Sequence, residues 1–185
     1  EEPMPDRAYA MTVDTARGIG GDYSTAVVID VTTVPYKMVA KYRDNKIAPL
    51  LFPNIINKVA RDYNSAHVLI EVNDIGQQVA DILHSDLEYD NILTTARDAN
   101  KQYLSPGFGR TTTFGVKMSK QVKRQGCFTF KSLLEEMKLQ IFDADTISEL
   151  STFIEKAGSY QADEGYHDDL AMCLVLFGWL TTNTY

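Results

Sequence analysis

The sequence predicts an α/β fold in which a central sheet is flanked by helices. Three observations predict it. Residues 8–43 hold three β-rich runs joined by short Gly- or Pro-marked links. Residues 53–83 then alternate a helical period, a short apolar run and a second helical period. The chain closes on Leu170–Leu180, an apolar stretch too short to span a bilayer and so read as a buried helix.

Ala8–Asp14 alternates, with Tyr9, Met11 and Val13 on one face and Thr12 and Asp14 on the other, which predicts a first strand. Gly18, Gly20 and Gly21 make the turn that follows. Tyr23–Val31, dense in β-branched residues, is the second strand and Tyr36–Arg43 the third, an antiparallel meander. Pro53–Tyr63 is predicted as a helix, with Pro at its start and Ile55, Ile56, Val59 and Tyr63 at helical spacing. His67–Val72 is an almost wholly apolar strand covered on both faces, and Ile75, Val79, Ile82 and Leu83 set out the next helix. Asn91–Thr94 is an edge strand, and Thr95–Ser119 an extended hairpin or loop. Thr129–Lys138 and Thr146–Ala157 are predicted helices with a short strand, Leu139–Phe142, between them. The second helix opens on a capping box from Thr146 to Glu149. No repeat or linker is present, which predicts one domain over residues 1–185.

The 185 residues are 44% hydrophobic and 23% charged, enough apolar chain for a core without staples. Cys127 and Cys173 carry no framework spacing, so a reducing compartment is expected. Three histidines, with no Cys-x-x-Cys or His-x-x-x-His pair, argue against a structural zinc site. The first residues hold no basic or apolar leader pattern and do not begin with Met, so the expectation is a non-secreted piece of a longer protein. Net charge is −7, yet Arg97, Lys101, Arg110, Lys117, Lys120, Lys123 and Arg124 against Asp98 make one stretch +6, which leaves −13 elsewhere. Such polarisation predicts a basic patch beside an acidic site.

Four acidic positions stand out. Asp14 ends the first strand before the Gly-rich turn, Glu71 ends an apolar strand, and Asp168 and Asp169 open the buried helix. Asp before Gly is often turn chemistry, and one Asp of the pair is expected to cap the helix. Glu71 has neither excuse. Carboxylates at the ends of central elements are costly unless solvated, paired or metal-bound.

Acids on the first strand, on the strand after the first helix and on the last helix are the layout of the RNase H/integrase superfamily. Three segments go further: Val13-Asp14-Thr15-Ala16-Arg17-Gly18 with Gly21-Asp22-Tyr23; Ile70-Glu71-Val72-Asn73; and Glu164-Gly165-Tyr166-His167-Asp168-Asp169-Leu170 with Phe177-Gly178-Trp179-Leu180. They closely resemble the nuclease domain of the large terminase subunit of T-even-like tailed bacteriophages. The resemblance implies an RNase H-like mixed sheet, the antiparallel meander extended by parallel strands.

It also implies an endonuclease that cuts concatemeric viral DNA during genome packaging with little sequence specificity. The family acids match Asp14, Glu71 and Asp169, with Asp168 the alternative third ligand because a one-residue shift exchanges the two. Three acids with few other ligands suit two Mg²⁺ or Mn²⁺ ions, hard cations that favour carboxylate oxygen. Asp22 and His167 stand beside that set as supporting groups. The basic residues Arg97, Lys101, Arg110, Lys117, Lys120, Lys123 and Arg124 are the expected grip on DNA phosphates. Implied partners are double-stranded DNA, the ATPase motor domain of the same subunit, the portal and the small terminase subunit, without a membrane. The implied setting is the host cytoplasm and, transiently, the prohead. No Gly-x-x-x-x-Gly-Lys-[Ser/Thr] loop occurs, so the motor's ATPase is not expected in this chain.

Two rival readings belong to other classes. A non-catalytic DNA-binding or assembly module would use the acids to repel or to hold a structural ion. An actin-like ATPase would use Asp14–Gly18 with Ser24 and Thr25 as a phosphate loop, but needs a second lobe for which 185 residues leave no room.

Overall fold

The computed structural model describes residues 1–99, 101–106 and 112–183. Its centre is a five-stranded mixed sheet. Strand β1 (Tyr9–Asp14) pairs antiparallel with β2 (Ser24–Asp30), which pairs antiparallel with β3 (Tyr36–Asp44). Helix α1 (Phe52–Asp62) carries the chain over one face, so β4 (His67–Ile70) returns parallel to β1, with Val13 opposite Ile70. Helix α2 (Gly76–Ser85) follows on that same face and packs against α1.

A smaller sheet comes next, in which β5 (Thr94–Asp98) sits between β6 (Lys101–Leu104) and β7 (Thr112–Phe114). Helix α3 (Lys120–Glu135) leads to β8 (Leu139–Gln140), which joins β3 in parallel. Helix α4 (Ala144–Ser151), a hairpin of β9 (Phe153–Lys156) and β10 (Ser159–Ala162), and helix α5 (Asp169–Thr181) complete the chain.

Both faces of the main sheet are covered, and successive residues divide between two cores. Tyr9, Met11, Val13, Val68 and Ile70 join the layer under α1 and α2, whereas Ala10, Val27, Ile29 and Leu69 join the layer under α5. Thr12, on the face opposite Met11 and Val13, is buried as well, because α5 lies over that face. Helix α5 is buried from Asp169 to Leu180. It packs against α3 through two glycines: a Cβ on Gly178 would stand 2.4 Å from the Gly126 carbonyl oxygen.

Several predicted elements are corrected. The helix expected over Thr129–Lys138 begins at Lys120, capped by Ser119, whose Oγ accepts from the Val122 amide at 3.2 Å. Gly126 interrupts the apolar pattern there, and tertiary contact with α5 supplies what helix propensity does not. The helix expected over Thr146–Ala157 ends at Ser151, and its remainder holds β9, the first strand of the β9–β10 hairpin. The capping box is also corrected. Asp143 is the N-cap and accepts from the Thr146 amide at 2.9 Å, while Glu149 is buried against another helix. The edge strand expected over Asn91–Thr94 reduces to one bridge, Ile92 to Val68, and regular pairing begins at Thr94. No described helix is long and apolar enough to cross a membrane.

Candidate active site

Asp14 is the last residue of β1 and lies opposite Thr25 of β2. Glu71 continues past β4, its amide donating to the Val13 carbonyl at 2.9 Å, which sets it beside Asp14 at the same sheet edge. The backbone there is tightly bounded. A Cβ on Gly76, the first residue of α2, would stand 1.9 Å from the Glu71 carbonyl oxygen. On its other side Glu71 bridges to Val116, and the Asn73 side chain continues that ladder by pairing with both backbone groups of Met118, at 3.1 and 2.9 Å.

Asp169 opens α5, and the Thr25 hydroxyl donates to its carbonyl oxygen at 3.0 Å. The strand residue facing Asp14 thus ties down the first turn of the helix. Cys173, one turn on, places its Sγ 3.3 Å from the same hydroxyl. Asp168 turns elsewhere, its Oδ2 accepting from the Ala162 amide at 3.1 Å. Neither Asp caps α5, contrary to expectation. The buried first-turn amides of Leu170 and Ala171 donate instead to Glu149 Oε2 of α4, at 2.8 and 3.2 Å.

Burial is the first cause that raises the Asp14, Glu71 and Asp169 carboxyls, and neighbouring charges add to it. Burial, then the Glu71, Asp169 and Asp168 charges, push the Asp14 carboxyl well above the usual carboxylate range. Burial raises Glu71 to about 7, opposed by Lys123 and reinforced by Asp168. Burial raises Asp169 to about 6, opposed by the Tyr23 amide and reinforced by Glu149 and Asp22. Asp14, Glu71, Asp168 and Asp169 therefore share one rim, with exposed Asp22 close enough to be felt. His167 is also half-turned towards it, its Nδ1 3.6 Å from Asp169 Oδ2 and its ring edge-on to Tyr23 with centroids 5.0 Å apart.

The rim is not closed around a point. Among the described residues no three His, Cys, Asp or Glu side chains already surround a common ligating position. The donor set nevertheless fits a hard divalent cation: every donor is a carboxylate oxygen, and Asp169 Oδ2 is buried without a hydrogen-bond partner among the described residues. Crowded carboxylates that hold protons this tightly are sites at which a cation replaces the proton.

The basic residues divide into two groups. Lys120, Lys123 and Arg124, on the first turns of α3, line a cleft of about 640 Å³ with Phe128, whose ring is exposed, and Tyr160 of the β9–β10 hairpin. Lys123 also acts on Glu71, so this cleft borders the acidic rim. Lys117 is exposed just ahead of α3. Arg97 and Lys101 instead stand on the small sheet, exposed on β5 and β6. Arg110 lies outside the described residues.

Glu149 and its partner Arg43 escaped the sequence reading. The available signal was a Glu on a short helix whose cap was already supplied by Asp143, and local spacing assigned that Glu to its own helix.

The profile of the terminase RNaseH-like domain matches residues 11–177. Among solved structures, the large terminase nuclease of thermophilic phage G20c with bound magnesium superposes with a TM-score of 0.72 at 21% identity, covering 96% of this chain and 84% of that one. The large terminase nuclease domain of Thermus phage P74-26 gives 0.67 at 21% identity, over 95% and 80% of the two chains. The human cytomegalovirus terminase nuclease domain gives 0.63 at 8% identity, over 94% and 82%. At these identities the structures speak for the fold alone, whereas the profile spans most of the sequence: the chain belongs to the terminase RNaseH-like domain family.

Proposed function

We propose that this chain is a metal-dependent endodeoxyribonuclease that cuts concatemeric viral DNA during genome packaging. The carrying observation is the gathering of Asp14, Glu71 and Asp169 from three separate elements onto one rim, where each is driven towards protonation. Membership in the terminase RNaseH-like family supports the reading, as do the fold neighbours solved with magnesium, cobalt and zinc.

Asp14, flanked by Glu71 just past β4 and Asp169 at the start of α5, is the central ligand, and the other two hold the sides. Two Mg²⁺ or Mn²⁺ ions supply activation of the attacking water and stabilisation of the leaving 3′ oxygen. Asp22 and His167 orient groups at the edge of that set. Lys117, Lys120, Lys123 and Arg124 hold the DNA backbone across the cleft, a grip on phosphates that reads no base. Arg97, Lys101 and Arg110 extend that grip along the duplex. The chain acts as one nuclease unit of a subunit that also carries an ATPase motor. Portal and small subunit are its partners, and the prohead in the host cytoplasm is its setting.

Supercoiled plasmid tests the reading. Nicking and linearisation that need Mg²⁺ or Mn²⁺ are expected, with a loss of more than about 100-fold on Glu71→Gln. Asp169→Asn is expected to match that loss while Asp168→Asn keeps most activity; the reverse order makes Asp168 the third ligand. DNA binding without cleavage under any divalent metal favours an assembly module.

Neutralising Lys117, Lys120, Lys123 and Arg124 together tests the grip. It is expected to weaken DNA binding and flatten the slope of log K against log salt by about 0.9 per lost phosphate contact. An unchanged slope removes the cleft from the DNA path.

A further inference from the structure

We infer that Glu149 is a positioning residue, which fixes the first turn of α5 and thereby aims the Asp169 carboxylate. The inference rests on the reading of Asp169 as a metal ligand. Glu149 comes from α4, twenty residues before the helix it caps, and is only 6% exposed. Burying a carboxylate is costly unless its charge is answered on every side. Here Oε2 accepts from the Leu170 and Ala171 amides at 2.8 and 3.2 Å, at the positive end of a 13-residue helix. Oε1 lies 3.0 Å from Arg43 Nη2 as an ion pair that answers its charge without the geometry of a hydrogen bond.

Arg43 carries the contact further. Its guanidinium lies 3.8 Å over the ring of Tyr23, and Tyr23 is edge-on to His167, which faces Asp169. Asp169 is therefore held from both sides of its own backbone: Thr25 takes its carbonyl, and Glu149 takes the two amides that follow. Asp168, the residue placed to cap α5 locally, is engaged with Ala162. Without Glu149 the Leu170 and Ala171 amides lose their acceptor, and only the Thr25 contact still holds the start of the helix. Its first side chain is the one whose Oδ2 lacks a hydrogen-bond partner among the described residues. Groups that orient metal ligands typically change metal affinity about 10–100-fold when removed.

The test is Mn²⁺ affinity by calorimetry, with metal-free DNA binding and melting temperature recorded on the same samples. Glu149→Ala is expected to weaken Mn²⁺ binding about tenfold or more and leave metal-free DNA binding within about twofold. Glu149→Gln, which keeps an oxygen for the two amides, is expected to recover most of that loss. A folded Glu149→Ala protein with wild-type Mn²⁺ affinity overturns the inference. Where Glu149→Ala does not fold, Glu149→Asp decides. Its carboxylate keeps its charge but stops short of the amides, so weakened Mn²⁺ binding supports positioning, and unchanged affinity or failure to fold overturns it. Wild-type protein that binds no Mn²⁺ overturns the metal-site reading along with this one. Binding lost on Asp169→Asn but untouched by Glu149→Ala overturns this one alone.

Discussion

Asp14→Asn is expected to abolish metal-dependent cleavage, a loss of more than about 10³-fold, and to stabilise the metal-free protein near pH 8. Function and stability move in opposite directions because the acidic rim is strained without a cation. Asp14 is pushed upward by burial first and then by Glu71, Asp169 and Asp168. Replacing the buried central carboxyl by a neutral amide removes the cost of burying it beside three other acids, which is expected to raise the melting temperature.

The pH dependence has a definite sign. Glu71 and Asp169 have folded values of about 7 and about 6, above the ordinary carboxylate range. The folded state thus binds these protons more tightly than the unfolded chain does. The stability they contribute is complete below about pH 4 and is lost as pH rises through 6 and 7. Metal-free protein is expected to melt at lower temperature near pH 8 than near pH 5, and Mn²⁺ to restore far more at pH 8. Asp143, paired with Lys41 and lowered, loses stability in the acid range below that window, so it does not mask the trend. A melting temperature that rises between about pH 5 and pH 8 in chelator would mean that Glu71 and Asp169 are not held above the ordinary carboxylate range by burial.

Gly178→Ala is the second large effect. On helix propensity alone the change gains about 1 kcal/mol, since Gly in a helix interior is unfavourable. The close contact between α5 and α3 reverses the sign. A Cβ at Gly178 would stand 2.4 Å from the Gly126 carbonyl oxygen, 2.8 Å from the Phe130 amide nitrogen and 2.9 Å from Phe130 Cβ. Two of those neighbours are backbone and cannot turn aside, so the helices must part. Overpacking of this kind costs typically about 1–3 kcal/mol, occasionally more, and here it must also outweigh the propensity gain. A melting temperature several degrees below wild type is expected in calorimetry. An equal or higher value would show that the helices are not in contact there. Cleavage should fall with stability, because α5 carries Asp169 at its start and α3 carries Lys123.

How far the chain could be read from its residues varies by element. The β1 alternation, the β-branched run of β2 and the apolar β4 each announce a strand through local spacing, and all three lie where spacing puts them. Glu71 was visible for a related reason, since an acid that ends an apolar run has no local explanation, whereas Asp14 before its Gly-rich turn also had one in turn chemistry. Helix α3 was half hidden, because Gly126 breaks its apolar stripe where it has to approach Gly178. The β9–β10 hairpin was hidden by residues 152–157, which continue the helical pattern of α4 without a break until the hairpin turn at Ala157 and Gly158.

Local pattern thus found the meander, the first two helices, β4 and the closing helix and singled out the acids as candidates, since period and composition act within a few residues. Spacing within α5 could not distinguish Asp168 from Asp169, since both lie on apolar faces. Packing separates their surroundings: one accepts from Ala162, the other is gripped by Thr25 and by amides that Glu149 holds. Glu149 shows why this lay beyond the linear chain. Its partners are 21 and 22 residues ahead in sequence, and Arg43 is on a different layer. Hydrogen bonds and ion pairs act over a few ångströms of space, and which groups come that close is decided when the layers close on one another.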